Sequence, residues 1–156
     1  MEIRDILAPG DALIKARAPD KARLLQDLAT RAAAALNLDA NLVATELLKR
    51  EALGSTGTGE CVAIPHARIP ELNKPFGTLL RLRHAIDFDA IDGQLVDVVF
   101  LLLLPASQGD PLNALATVAR KLRDPEAIGR IRDAADDDEL YRAIEWARDV
   151  NAAAQK

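Results

Sequence analysis

The chain has 156 residues, 49% hydrophobic, 28% charged and 3% aromatic, with a formal net charge of -4. This is the balance of one folded domain with an aliphatic core, not of a disordered chain, and it leaves no basic excess for broad nucleic-acid binding. A single cysteine, Cys61, excludes an internal disulfide, and the opening Met1-Glu2-Ile3-Arg4-Asp5 lacks the pattern of a secretory signal, so a reducing, cytoplasmic setting is expected.

Residues Ile3 to Ala18, broken by Pro9-Gly10, read as an opening strand or turn ahead of the first helix. From Lys21 to Leu36 the residues Leu24, Leu25, Leu28, Ala32, Ala35 and Leu36 recur at helical spacing, with charges on the other side. Asp39 is placed to cap a second helix to about Arg50, with Val43, Leu47 and Leu48 as candidates for burial. That helix carries Arg50 to the edge of a glycine-rich loop. After a polar connection from Pro70 to Pro75, Phe76 to Arg83 alternates as a strand with one mostly buried face. The run Leu95 to Leu104, interrupted only by Asp97, suits a central strand covered on both faces. It is too short for a membrane span of about 20 residues.

The last third reads as helical. Leu112, Leu115, Ala119 and Leu122 share a face; Asp124-Pro125 restarts a helix with Ile128 and Ile131; Leu140, Ile144 and Ala147 define a final one. Asp110 can cap the first of these with Pro111 in its first turn, and Asp136-Asp137-Asp138 suits a solvated helix entrance. The expected fold is therefore α/β: a single domain over residues 1–150 with a mixed sheet flanked by helices on both faces, and a frayed tail at 151–156.

The chemistry concentrates in Arg50 to Ala67. Gly54, Gly57 and Gly59 suit a loop, Val62-Ala63-Ile64 a short strand, and Pro65 ends it beside His66. A histidine near its ordinary pKa of about 6.5 offers a nucleophilic nitrogen at neutral pH and can accept a phosphoryl group. The hydroxyls of Ser55, Thr56 and Thr58, the glycine amides and the Arg50 fork are group types that hold phosphate oxygens. Each has a plainer reading: His66 as a structural or exposed residue, Arg50 as a cation complementing a helix C-terminus.

Here the residues carry a resemblance. Leu53-Gly54-Ser55-Thr56-Gly57 followed by Gly59-Glu60-Cys61-Val62-Ala63-Ile64-Pro65-His66-Ala67 resembles the active-site signature of the fructose/mannitol-type enzyme IIA of the phosphoenolpyruvate-dependent phosphotransferase system, most of all its nitrogen-type regulatory members. The likeness extends through Ile86-Asp87-Phe88-Asp89-Ala90-Ile91-Asp92-Gly93 to about Ala147. It implies that His66 is phosphorylated by a histidine-containing phosphocarrier protein, with Arg50 beside it and Ser55 and Thr56 as phosphate-binding residues. It implies regulated target proteins as partners, or a IIB domain if the protein is a sugar-transport relay. No cofactor, metal, nucleic acid or membrane insertion enters this reading. The sequence departs from the pattern at Thr58, where an aliphatic residue is usual, and at Pro111, where many members have a second histidine. A phosphorylation-dead binding module is the reading that Pro111 keeps open.

Other sites carry less. Cys61 and His66 lie on opposite faces if one strand holds both, and Cys61 suits a small buried residue better than a nucleophile. His84 reads as exposed, and Asp87, Asp89 and Asp92 as turn residues, since they lack the calcium-loop pattern. The glycines lack the lysine and hydroxyl residue of a nucleotide-binding loop, so a protein phosphoryl donor is expected rather than ATP.

Overall fold

The computed structural model describes residues 1–106 and 111–147. After short helical turns at Ile3–Asp5 and Pro9–Asp11 come strand β1 (Ala12–Ala16) and helices α1 (Lys21–Leu36) and α2 (Ala40–Leu53). Strands β2 (Gly57–Gly59), β3 (Val62–Ala63), β4 (His66–Ile69), β5 (Phe76–Ile86) and β6 (Val96–Pro105) follow, then helices α3 (Pro111–Arg123), α4 (Pro125–Asp133) and α5 (Asp137–Glu145). The sheet order is β1-β5-β6-β3-β2, with β4 also paired to β6. β5 runs antiparallel to β6, while β1 lies parallel to β5, and β3 and β4 parallel to β6. The mixed sheet flanked by helices is the architecture expected.

β6 explains the layering. Its alternate residues Val99, Leu101 and Leu103 join the core beneath α1 and α2, while Val98, Phe100, Leu102 and Leu104 join the core beneath α3, α4 and α5. A strand covered on both faces is apolar at nearly every position, as this run is. The exception, Asp97, is partly exposed and meets Arg132 at 3.0 Å. Each fully buried leucine in the strand contributes about 1.5–3 kcal/mol.

Helix α1 has the bounds its periodicity predicts: Asp20 accepts from the Arg23 amide, and Asn37 ends it in the left-handed conformation. Asp39 caps α2 as expected, and Asp136 caps α5 at the acidic entrance. Several expectations are corrected. The opening strand is confined to Ala12–Ala16, because the segment before it coils into two short turns. α2 continues one turn past Arg50 to Leu53, since nothing before Gly54 breaks it. Leu48 is exposed, as is Ala35. β5 is buried on both faces, with Leu79 in one core and Leu80 and Leu82 in the other. The buried stripe of α3 runs through Ala114, Val118 and Leu122, leaving Leu112 exposed and Leu115 and Ala119 at the margin. The expected Asp110 cap and the tail at 151–156 lie outside the described residues.

Candidate functional site

β3 and β4 keep one register along β6, from Val62 opposite Val98 and Ala63 opposite Val99 to His66 opposite Leu102. They are one run along β6 interrupted at Ile64-Pro65, its β3 part covered by β2 and its β4 part left at the edge of the sheet. Pro65 has no amide hydrogen to give a ladder, yet its carbonyl still accepts from the Leu102 amide at 2.9 Å, which preserves the register. The Ile64 amide turns instead to the Thr56 carbonyl at 3.0 Å. His66 therefore begins an edge strand, β4, directly after the break.

Helix α2 packs against β4. Its core stripe of Val43, Ala44 and Leu47 places Arg50, three residues beyond Leu47, over the start of that strand. Arg50 Nε donates to His66 Nε2 at 3.2 Å, and Arg50 Nη1 donates to the Gly54 carbonyl at 2.9 Å. On the other side of the ring, His66 Nδ1 lies 2.9 Å from the Ile64 carbonyl. A carbonyl only accepts and a guanidinium only donates, so Nδ1 carries the proton and Nε2 the lone pair. Burial, the largest influence, lowers the imidazole pKa below its ordinary 6.5; the Ile64 carbonyl opposes this, Arg50 adds to it and Glu51 opposes it. The ring is neutral at physiological pH. A shallow depression of about 390 Å3 opens over it, lined by Lys49, Arg50, Leu53, Arg68, Leu112 and Leu115 among others.

Of the residues singled out in the sequence, His66 and Arg50 come together; Ser55 and Thr56 do not turn their hydroxyls to the ring. Ser55 Oγ donates to the Phe88 carbonyl at 2.7 Å and accepts from the Gly57 amide at 3.0 Å. Thr56 is buried, and both its amide and its hydroxyl donate to the Glu51 carboxylate. The Gly54 amide is likewise committed, to the Glu51 carbonyl at 3.1 Å. These groups hold the loop rather than line the depression. Thr58 lies exposed on the edge strand β2, where a hydroxyl is tolerated. Cys61 is half-exposed rather than buried: with Glu60 it forms the two-residue tip of the β2–β3 hairpin, both at positive φ (57° and 69°), so no strand alternation relates it to His66.

His84 is exposed, and Asp87 and Asp92 accept from the Asp89 and Gln94 amides as turn residues do. Asp92 also accepts from the Glu60 amide at 2.9 Å, and these amides lower its carboxyl pKa. Among the described residues no cluster of three or more His, Cys, Asp or Glu side chains is placed to hold a metal ion. No helix among them is long and apolar enough to cross a membrane.

One residue escaped the sequence reading. Glu51 follows Val43 and Leu47 at four-residue steps, so it falls on the apolar stripe of α2, and only 6% of its side chain is exposed. A carboxylate on a buried helical face is the signal that was available.

The family described as "Phosphoenolpyruvate-dependent sugar phosphotransferase system, EIIA 2" matches residues 5–146. A nitrogen regulatory protein of Bradyrhizobium diazoefficiens is 43% identical over 145 residues, covering 92% of this chain and 95% of the relative. One from Pseudomonas aeruginosa is 36% identical over 146 residues, with the same coverage of 92% and 95%. The crystal structure of nitrogen regulatory protein IIA-Ntr from Neisseria meningitidis superposes with a TM-score of 0.85 at 29% identity, covering 91% of this chain and 98% of that one. The chain thus belongs to the EIIA 2 family of the phosphoenolpyruvate-dependent sugar phosphotransferase system, and along nearly its whole length it is similar to that family's nitrogen regulatory proteins.

Proposed function

We propose that His66 Nε2 accepts a phosphoryl group from a histidine-containing phosphocarrier protein, and that the phosphorylated chain acts as a cytoplasmic, nitrogen-type regulator of partner proteins. The observation that carries this reading is the ring's two hydrogen bonds, which leave Nε2 as the lone-pair nitrogen directly beside a guanidinium. In the reaction Nε2 attacks the phosphorus of the donor's phosphohistidine. The donor's P–N bond breaks, and its electron pair returns to the donor imidazole. As the new bond forms, positive charge builds on the His66 ring, and the Ile64 carbonyl at Nδ1 stabilises it. Arg50 gives up Nε2 and turns to the phosphoryl oxygens, whose charge it matches with a planar fork of donors. The added group brings roughly two negative charges to a surface with exposed Leu53 and Leu112, which changes what docks there.

The test is intact-protein mass after incubation with phosphoenolpyruvate, enzyme I and the histidine carrier. A single acid-labile phosphoryl addition, absent from His66→Ala, is expected. No addition to the wild type rejects the acceptor role and leaves a binding module. Onward transfer to a IIB protein would show a sugar-transport relay instead of a regulator. Pro111→His should alter the rate of uptake or the phosphohistidine lifetime; if both stay the same, residue 111 does not tune the site.

A further inference from the structure

The two hydrogen bonds that define the His66 ring trace back to one residue, Glu51. Arg50, which meets Nε2, is held by the Gly54 carbonyl; Ile64, whose carbonyl meets Nδ1, gives its amide to the Thr56 carbonyl. Gly54 and Thr56 belong to the same turn, and Glu51 secures that turn at both places. The Glu51 carbonyl accepts from the Gly54 amide at 3.1 Å, and its carboxylate accepts from the Thr56 amide at 3.2 Å and from the Thr56 hydroxyl. Lys21, from the first turn of α1, closes on the carboxylate at 2.9 Å and lies 4.7 Å over the Phe88 ring. The Phe88 carbonyl in turn accepts from Ser55. The bonds form a circuit: Glu51, Thr56, Ile64, His66, Arg50, Gly54 and back to Glu51.

We propose that the Glu51 carboxylate is a positioning residue for this centre, holding the Gly54–Gly57 turn so that Arg50 and Ile64 together present Nε2 of His66 for reaction. The inference rests on the reading of His66 as the phosphoryl acceptor. Glu51 is not a catalytic residue, since it touches neither the ring nor Arg50's guanidinium in the bonds described; its carboxylate acts through Thr56, next but one to Gly54 in the same turn. Glutamine could keep much of this pattern, its oxygen accepting from the Thr56 amide while its NH2 donates to the Thr56 hydroxyl, so alanine, which removes every bond to the carboxylate, is the informative change. The carboxylate also supplies negative charge that partly offsets Arg50 and so keeps the ring more basic than burial and Arg50 together would leave it.

The test uses Glu51→Ala in the full chain, with two readouts. In the unphosphorylated protein, nuclear magnetic resonance should show a protected Arg50 Nε–H signal in the wild type that exchanges about tenfold faster or more in the variant. In the carrier-driven assay, the variant's uptake rate should fall about tenfold or more at saturating donor, with the donor KM nearly unchanged, because a displaced acceptor slows the chemical step without touching the docking surface. Wild-type protection of Arg50 and a wild-type rate in Glu51→Ala overturn the proposal. Should that variant fail to fold, Thr56→Val decides: it removes one bond to the carboxylate and must also loosen the Arg50 signal, whereas an unchanged signal rejects the idea. If the wild type takes up no phosphoryl group, the acceptor reading fails, and the Arg50 signal still reports whether Glu51 orders the pair.

Discussion

At His66 two neighbours that can each play a single role choose the tautomer. The Ile64 carbonyl requires a proton on Nδ1, and Arg50 requires a lone pair on Nε2. Burial then makes the neutral ring the favoured form. A sign follows for stability. The folded state binds this proton less readily than the unfolded chain, so His66 costs nothing well above pH 6.5, and stability declines as pH falls below it until the folded pKa is passed. Relative to His66→Asn, the wild type should therefore lose stability between pH 7.5 and 5.5. Urea midpoints for both proteins at the two pH values measure this, and a constant difference between them would refute it. Legibility at this scale was uneven. Residue types and the signature motif marked His66 and Arg50, whereas the commitments of Ser55 and Thr56 depend on Phe88 and Glu51, which only folding brings to them.

The elements that frame the ring are short and held by close backbone approaches. Gly57, in β2, shows why a glycine stands there. A Cβ at this position would lie 2.8 Å from Ala90 Cβ and 2.9 Å from Ala90 Cα. The second of these is backbone, so relief requires the 88–91 segment to shift. Gly57→Ala should destabilise the protein by about 1–3 kcal/mol, as overpacking does, and should weaken the Gly57–Ile91 backbone bond. Chemical denaturation and amide exchange at Ile91 measure both; wild-type values would show that the segment moves freely. The helices were legible because long periodic runs report one face. α3 misled by a fraction of a turn: Leu112, Leu115, Ala119 and Leu122 form a plausible apolar row, yet the sheet receives Ala114, Val118 and Leu122 instead. Small alanine lets the helix approach the sheet closely, and the larger leucines are left at the flank.

In the whole molecule, α2 and α3 reach the His66 edge from opposite faces of the sheet and deliver apolar side chains to it. Leu53 is 86% exposed and Leu112 66% exposed, both lining the depression above the ring. Exposed positions contribute little to folding, so changing both to lysine should shift stability by about 1 kcal/mol at most. If the phosphocarrier docks on this edge, the same double variant should raise the donor KM about tenfold while the maximal rate changes little. Unfolding midpoints and uptake kinetics separate the two effects, and an unchanged KM would move the docking surface elsewhere.

The sequence by itself determined the apolar run of β6, the bounds of α1, the cap at Asp39, the acidic helix entrance at Asp136 to Asp138, and the signature that singles out His66 and Arg50. These are local properties, carried by periodicity, capping chemistry and residue type over a few neighbouring positions. Tertiary structure alone decided which imidazole nitrogen carries the lone pair, that Ser55 and Thr56 hold the loop, that Cys61 sits on a hairpin tip and that Glu51 is a member of the hydrogen-bonded circuit. The reason is that a side chain's partners are set by groups distant in sequence. Lys21, Glu51 and Phe88 meet only after α1, α2 and the segment after β5 have packed on the same side of the sheet.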